Sequence, residues 1–271
     1  MSDKKMSRKG ILYIATGEKY FREALSSINS VRKYCPDIQV CIRTDQDVEV
    51  DDPHCTVELI RSSNDGMGDK VAQLQDTPFE STLFLDTDTW VCEDISGLFE
   101  LLERFELAVA FAPKMGVADV YGISCPDSFA ELNTGVLLYR KCESVSKMYA
   151  AWKEKYDQIR ANGIKAHDQP AFRHALYHSE VKFFVLPHEY NFRVNKVNAA
   201  RAGKVYILHG RNIDLASLAK RINRSSGQRA YFPYLQKVFS PHLILGTGSD
   251  KWMQRMSRVI GGILSLRGKR R

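Results

Sequence analysis

Ser81-Thr82-Leu83-Phe84-Leu85-Asp86-Thr87-Asp88-Thr89-Trp90 places two aspartates, one residue apart, directly after a short apolar run. Leu83 to Leu85 is too short to make a helix of its own and reads as the end of a buried strand in an α/β sheet. Ligands collect at such strand ends. A hard divalent cation, Mg²⁺ or Mn²⁺, prefers carboxylate oxygens and commonly links one or two of them to substrate phosphates. Asp86 and Asp88 are therefore candidates for a metal that clamps a diphosphate. On spacing alone, a solvated Asp86 and a turn-capping Asp88 account for the pattern equally well, because Asp-x-Asp is a short motif.

Outward from this strand the chain alternates. Ile11 to Ala15 reads as a first buried strand, and Lys19 to Tyr34 carries Phe21, Leu25, Ile28 and Val31 at helical spacing until Cys35-Pro36 stops it. Ile38 to Ile42 and Thr56 to Ile60 read as strands, and Asp69 to Leu74 as a short helix ending before Thr77-Pro78. Beyond the aspartates, Ile95 to Arg104 reads as a helix, and Leu107 to Ala112 and Gly135 to Tyr139 as strands. The polar stretch Lys114 to Asn133 between those strands is long for a compact domain, which marks a functional loop. Val145 to Asn162 is an amphipathic helix, Phe183 to Leu186 and Val205 to Leu208 are strands, and from Ile213 the chain turns helical and basic. The alternation predicts an α/β fold with a mostly parallel sheet flanked by helices.

A chain of 271 residues with 44% hydrophobic content can bury one large α/β core with an appendage, or two small ones. The net charge of +7 is concentrated in the last stretch, where Lys251, Arg255, Arg258, Arg267, Lys269, Arg270 and Arg271 meet no acid. The remainder is near neutral, so no nucleic-acid partner is expected. Met1 to Gly10 is charged and Ile11 to Ala15 is too short for a signal core or a membrane span, so no secretion signal is expected. The six cysteines, Cys35, Cys41, Cys55, Cys92, Cys125 and Cys142, show no Cys-x-x-Cys and read as buried thiols of a cytoplasmic protein; the even count leaves disulfides open.

From Trp252, the residues Met256, Val259, Ile260, Ile263 and Leu264 fall on one helical face with Arg255 and Arg258 beside it. Such a face reads as an interfacial helix on the cytoplasmic side of an anionic membrane, each basic residue adding ~1 kcal/mol. The alternative is that the face docks on the rest of the protein, and Gly261-Gly262 weakens any helix there. The expected division is 1–214 for the main domain and 215–271 for a helical, basic extension.

Four further segments follow Asp86-Thr87-Asp88 in a telling order: Asn133-Thr134-Gly135-Val136, His167-Asp168-Gln169, Leu186-Pro187 with Tyr190-Asn191, and His209-Gly210-Arg211. Together they resemble the GT-A-fold nucleotide-sugar glycosyltransferases of the glycogenin and bacterial lipopolysaccharide galactosyltransferase type, over roughly Ile11 to Arg211. The resemblance implies a Rossmann-like mixed sheet and transfer of a hexose from a nucleotide sugar, a UDP-sugar, to a glycan or glycolipid acceptor with retention of configuration. It implies that Asp86, Asp88 and His209 bind Mn²⁺ or Mg²⁺, an imidazole suiting Mn²⁺ better. Thr16, Tyr20, Lys70, Asp86, Asn133, Gly210 and Arg211 would contact the donor, and Asp168 and Gln169 would face its anomeric carbon. The chain departs from the family after Arg211, where Asn212-Ile213-Asp214 stands in place of Lys-Pro-Trp.

Each of these residues also has a plainer reading. Thr16 and Asp168 suit helix N-caps, Asp168 because Pro170 would then open the helix. Tyr20 suits packing, Lys70 a solvated helix face, and His209 a buried, hydrogen-bonded strand end. At the level of the whole chain, Asp86-Thr87-Asp88-Thr89 also fits the haloacid-dehalogenase phosphatase signature, with Asp86 as nucleophile on a Mg²⁺ site. Those enzymes carry it on an early strand and need a downstream acidic pair, whereas here several elements precede it and no Asp-Asp follows. A GT-A-like protein that binds nucleotide without turnover is the remaining alternative.

Overall fold

The computed structural model describes residues 9–63, 66–112, 123–164 and 167–240. In chain order these form β1 (Lys9–Ile14), α1 (Glu18–Tyr34), β2 (Gln39–Thr44), β3 (Cys55–Leu59), α2 (Gly66–Gln73), β4 (Ser81–Leu85), β5 (Thr89–Val91) and β6 (Leu107–Phe111). Then follow β7 (Leu132–Arg140), α3 (Glu143–Ala161), α4 (Asp168–Tyr177), β8 (Phe183–Leu186), β9 (Phe192–Arg193), β10 (Asn198–Ala200) and β11 (Ile207–His209). The last are α5 (Leu215–Ile222), β12 (Arg229–Phe232) and β13 (Lys237–Phe239).

The main sheet has seven strands in the order β3-β2-β1-β4-β7-β6-β8, parallel except for β7, which runs against both its neighbours. Its central strands read as continuous apolar runs because both faces are covered, as parallel sheets require. One face packs Ile11, Tyr13, Leu83 and Leu85 against Phe21, Ala24, Ile28 and Val31 of α1; of the residues whose helical spacing the sequence displays, Leu25 is only partly buried at its edge. The other packs Leu12, Phe84, Leu137 and Tyr139 against α3 and α4 through Trp152, Tyr149 and Phe172. A second, small sheet in the order β5-β11-β9 sits beyond the end of β4, and an antiparallel β10-β12-β13 sheet shares a third core with it through Phe192, Leu208, Leu218, Ile222 and Tyr231.

Several expectations shift. Ser96–Glu103 is a 3-10 helix. The strand expected at Gly135 to Tyr139 extends over Leu132–Arg140, so the long polar segment ends two residues earlier; its residues 113–122 lie outside the described ones. The strand expected at Val205 to Leu208 spans Ile207–His209 and carries the histidine itself. Of the segment expected to be helical and basic from Ile213, the described part, to residue 240, forms α5 and then turns into β12 and β13. Arg229 explains the change: its buried guanidinium donates to the carbonyls of Ile222, Gly227 and Gly203, tying the end of α5 and a turn to the new strand. The proposed interfacial helix from Trp252 lies outside the described residues.

All six cysteines are free, which answers the question their even number leaves open. Burial pushes the Cys55 thiol up to about 11 and that of Cys92 to about 12. Among the described residues no helix is long and apolar enough to cross a membrane.

Candidate functional site

The chain leaves β4 at Leu85 and turns at once. Asp86 N donates to the Gly135 carbonyl (2.8 Å), continuing the ladder with β7, and Thr89 Oγ1 closes the turn on the Asp86 carbonyl (2.8 Å). Gly210 N then donates to the Asp88 carbonyl (2.9 Å), and β5 pairs with β11. The turn therefore holds both aspartates against the end of a strand more than a hundred residues away.

There His209, 2% exposed, points Nε2 at both carboxylates, 3.5 Å from Asp86 Oδ2 and 3.4 Å from Asp88 Oδ1. One ligand-type atom from each of Asp86, Asp88 and His209 lies within 4.8 Å of the others. Asp88 Oδ1 is buried without a hydrogen-bond partner, an arrangement proteins avoid unless something else satisfies the atom. Gly135 keeps the space open: a Cβ there would stand 2.0 Å from His209 Cε1 and 2.7 Å from Asp86 Oδ2. Two carboxylates and an imidazole around a space of this kind fit a divalent cation.

The orientation of the imidazole follows from the groups behind it. Gly135 N can only donate, and it meets Asn133 Oδ1 at 3.2 Å, so the oxygen of that amide faces inward. Asn191 Nδ2 donates to the same oxygen at 2.8 Å, which leaves Asn191 Oδ1 as acceptor, 2.8 Å from His209 Nδ1. In the neutral ring the proton thus belongs on Nδ1 and the lone pair of Nε2 faces the carboxylates, the tautomer a metal ligand needs. Arg193 packs against the imidazole, Nη1 standing 3.2 Å from each ring nitrogen.

On one side of Asp86 lies a buried network. Lys70 Nζ reaches Asp86 Oδ1 (3.1 Å), Asp168 Oδ2 (3.0 Å) and Thr134 Oγ1 (3.1 Å), and Thr134 donates to Asp168 (2.7 Å). Lys70 is therefore buried, where a solvated helix lysine was the plainer reading. Burial opposes its charge, yet Asp168 and Asp86 hold its pKa above the ordinary value. Burial likewise pushes the Asp86 carboxyl up, but Lys70, joined by the His209 ring when it carries both protons, outweighs it and keeps the group well below the usual range. The Asp88 carboxyl is also lowered: burial raises it, and the His209 ring in that charged form, with Arg211, more than offsets that.

On the side of Asp88, Arg211 Nη1 stands 3.4 Å from Asp88 Oδ2, while its Nε and Nη2 hold Glu23 and Thr87. Its guanidinium lies 5.1 Å from the centroid of the Tyr20 ring, which is 39% exposed and so is not the packing residue its plainer reading makes it. A cavity of about 440 Å³ opens here, lined among others by Glu23, Asp88, Trp90, Arg211 and Asp214. Gly210, at φ 150, presses on Val194, which leaves no room for a side chain.

Thr16 does not cap α1, whose N-cap is Gly17; its hydroxyl instead lies on the side of Asp69 and helps lower that carboxyl. Asp168 is not an N-cap either. The helix already begins at Asp168 behind His167, placing Pro170 in its third position and freeing the carboxylate to meet Lys70 and Thr134. Gln169 is half-buried at the second position of α4. The structure thus joins Asp86, Asp88, His209, Lys70, Asn133, Asp168 and Arg211 in one constellation, and places Thr16 and Tyr20 at the start of α1 beside it. Sequence reasoning assigned no role to Thr134, Asn191 or Arg193. The first two stand inside the quoted segments Asn133-Thr134-Gly135 and Tyr190-Asn191, so their signal was present; Arg193 had none.

No protein-family model and no curated protein matches the sequence. Solved structures do. The glycosyltransferase GlyE of Streptococcus pneumoniae TIGR4 superposes with TM-score 0.50 at 16% identity, over 82% of this chain and 58% of that one, so the chain spans little more than half of GlyE. An active-site mutant of LgtC gives TM-score 0.51 at 14% identity, over 74% of this chain and 86% of that one. Mouse xyloside xylosyltransferase 1, in its apo form, gives 0.52 at 12% identity, over 76% and 98%. The architecture that carries Asp86, Asp88 and His209 thus matches the GT-A fold of these glycosyltransferase structures, the fold that the sequence resemblance implies.

Proposed function

We propose that this protein is a metal-dependent, retaining glycosyltransferase that moves a hexose from a nucleotide sugar, a UDP-sugar, to a glycan or glycolipid acceptor. The observation that carries the reading is the convergence of Asp86, Asp88 and a tautomer-fixed His209 around the unpartnered Asp88 Oδ1, on a GT-A fold. The neighbouring structures are named glycosyltransferases, one of them a xylosyltransferase, which supports the reaction class.

Glycosyl transfer needs charge at the departing diphosphate, a polar group at the oxocarbenium-like centre and an oriented acceptor hydroxyl. A cation held by Asp86, Asp88 and His209, Mn²⁺ in preference to Mg²⁺, supplies Lewis-acid charge for the first. Arg211 adds fixed positive charge beside Asp88, with Gly210 letting the backbone come close. Lys70 bridges Asp86 and Asp168 with one buried positive charge, and Asp168 with Gln169 faces the sugar. Thr16, Tyr20 and Asn133 bind the rest of the donor, Tyr20 offering a ring face to the base. A phosphatase reading would make Asp86 a nucleophile; its engagement by Lys70 and His209 favours a ligand role. The six free thiols support a cytoplasmic setting, with the tail from Trp252 to Arg271 as a further contact to the membrane.

Thermal shift with nucleotides and nucleotide sugars, with and without Mn²⁺, tests the binding half of the proposal, because a ligand of the folded state raises its melting temperature. A metal-dependent shift with UDP or a UDP-sugar is expected, with nucleotide release on turnover. Asp88→Ala should lower turnover by at least about 100-fold, comparable to loss of other transition-state charge stabilisers. Phosphate release from phosphomonoesters, with no response to UDP-sugars, would instead identify a phosphatase.

A further inference from the structure

We infer that the open end of the β10-β12-β13 sheet is a docking surface for an anionic lipid bilayer. β12 and β13 are joined by a tight 3-10 turn, Pro233–Leu235, and Gln236 adopts φ 47 to complete it. The turn thrusts Tyr234 and Leu235 outward, 94% and 52% exposed. The register that sets Asn198 opposite Tyr231 brings Val197, 57% exposed, to the same end. Among the described residues nothing covers these three large apolar side chains at one end of a small sheet, and their neighbours are cationic. Exposed Lys196 precedes Val197, exposed Lys237 follows the turn, and Arg221 of α5 donates to the Gln236 carbonyl.

Acid is nearly missing from this part of the chain. Between Glu189 and Asp250 the sequence contains a single acidic residue, Asp214, which caps α5 through Ser217 N. An amphipathic tyrosine beside an aliphatic pair, ringed by lysine and arginine, suits the headgroup region, where the ring is half in hydrocarbon and the cations meet lipid phosphates. Each basic residue near such a surface strengthens partitioning about fivefold. Charge also separates this occupant from two others. The segment 241–271 is itself cationic, and a second copy would present the same cationic surface, so both would be repelled where a lipid phosphate is attracted. Because the hairpin shares the third core with β11, bilayer contact would hold the His209 strand close to the lipid surface.

The test uses the full chain without any sugar donor, so it stands apart from the glycosyl-transfer reading. Sedimentation with vesicles of phosphatidylcholine containing phosphatidylglycerol should bring the protein down, and vesicles of phosphatidylcholine alone should not. Tyr234→Ser with Leu235→Ser, and separately Lys196→Glu with Lys237→Glu, should each weaken partitioning about tenfold or more, with the melting temperature and Mn²⁺ affinity unchanged. Hydrogen exchange supplies the local readout, since the tail beyond residue 240 can also bind lipid: amides of 234–238 should slow in the presence of the anionic vesicles. Exchange there that is unaltered in vesicle-bound protein would overturn the proposal, as would wild-type partitioning by both double variants, equal binding to neutral vesicles, or no binding to anionic ones.

Discussion

Asn191 shows how a single amide governs a site it does not enter. Its oxygen accepts from His209 Nδ1 and its nitrogen donates to Asn133, so removal releases the imidazole to rotate or change tautomer. Losing the hydrogen bond that orients a ligating imidazole typically costs 10- to 100-fold in metal affinity. Asn191→Ala should therefore weaken Mn²⁺ binding by about that factor in titration calorimetry while the fold persists; unchanged affinity would mean that the ring is held by other contacts. Gly135 acts at the same scale through absence. A methyl at Gly135 stands 2.0 Å from His209 Cε1 within a buried strand, so Gly135→Ala should displace the ring, abolish measurable Mn²⁺ binding and cost roughly 1–3 kcal/mol by overpacking in a denaturant melt. The aspartate pair was legible in sequence because it follows its strand directly. Arg193 was not, since nothing local marks an arginine that packs on a ring sixteen residues away.

Among the elements, α2 is the least able to form by itself. Eight residues are too few for a stable isolated helix, yet α2 must present Lys70 to two carboxylates. Asp69 anchors it, accepting from Ser62 Oγ (2.7 Å), Ser63 N (2.8 Å) and Ser63 Oγ. Burial pushes the Asp69 carboxyl up, but the Ser63, Ser62 and Thr16 donors prevail and hold it below the ordinary value. A depressed carboxylate contributes stability above its unfolded pKa, about 3.9, and loses it as pH falls through the lower folded value. Asp69→Asn should accordingly be less stable than wild type near neutrality, and the gap should close on acidification below about pH 4. Melting temperatures of the two proteins across that range are the check; a constant gap would show that the carboxylate charge is not what anchors the helix. The sequence signals α2 only weakly, because tertiary hydrogen bonds rather than helix propensity hold it.

At the scale of the molecule, the site joins two sheets. Asp86 and Asp88 leave the main seven-stranded sheet, and His209 ends the central strand of the small one, whose residues share a core with the β10-β12-β13 sheet. A cation shared by these ligands would stabilise the whole assembly by mass action, ~2.7 kcal/mol at a hundredfold excess over its dissociation constant. Saturating Mn²⁺ should therefore raise the melting temperature of wild type and a chelator should reverse it. Asp88→Ala with His209→Ala should remove the response, and a Mn²⁺ shift that survived in that variant would place the metal elsewhere.

The sequence by itself determined the alternating elements, the strand that bears the aspartates and the family of folds. Apolar periodicity and strand-end carboxylates are local, and local patterns can be read in one dimension. Tertiary structure alone decided the partners of those groups. Lys70 became a buried counter-ion, Asp168 a helix residue turned toward it, and the segment after α5 a pair of strands tied by Arg229. Each of those outcomes depends on desolvation and pairing between residues distant in sequence, and neither quantity is set until the chain has packed.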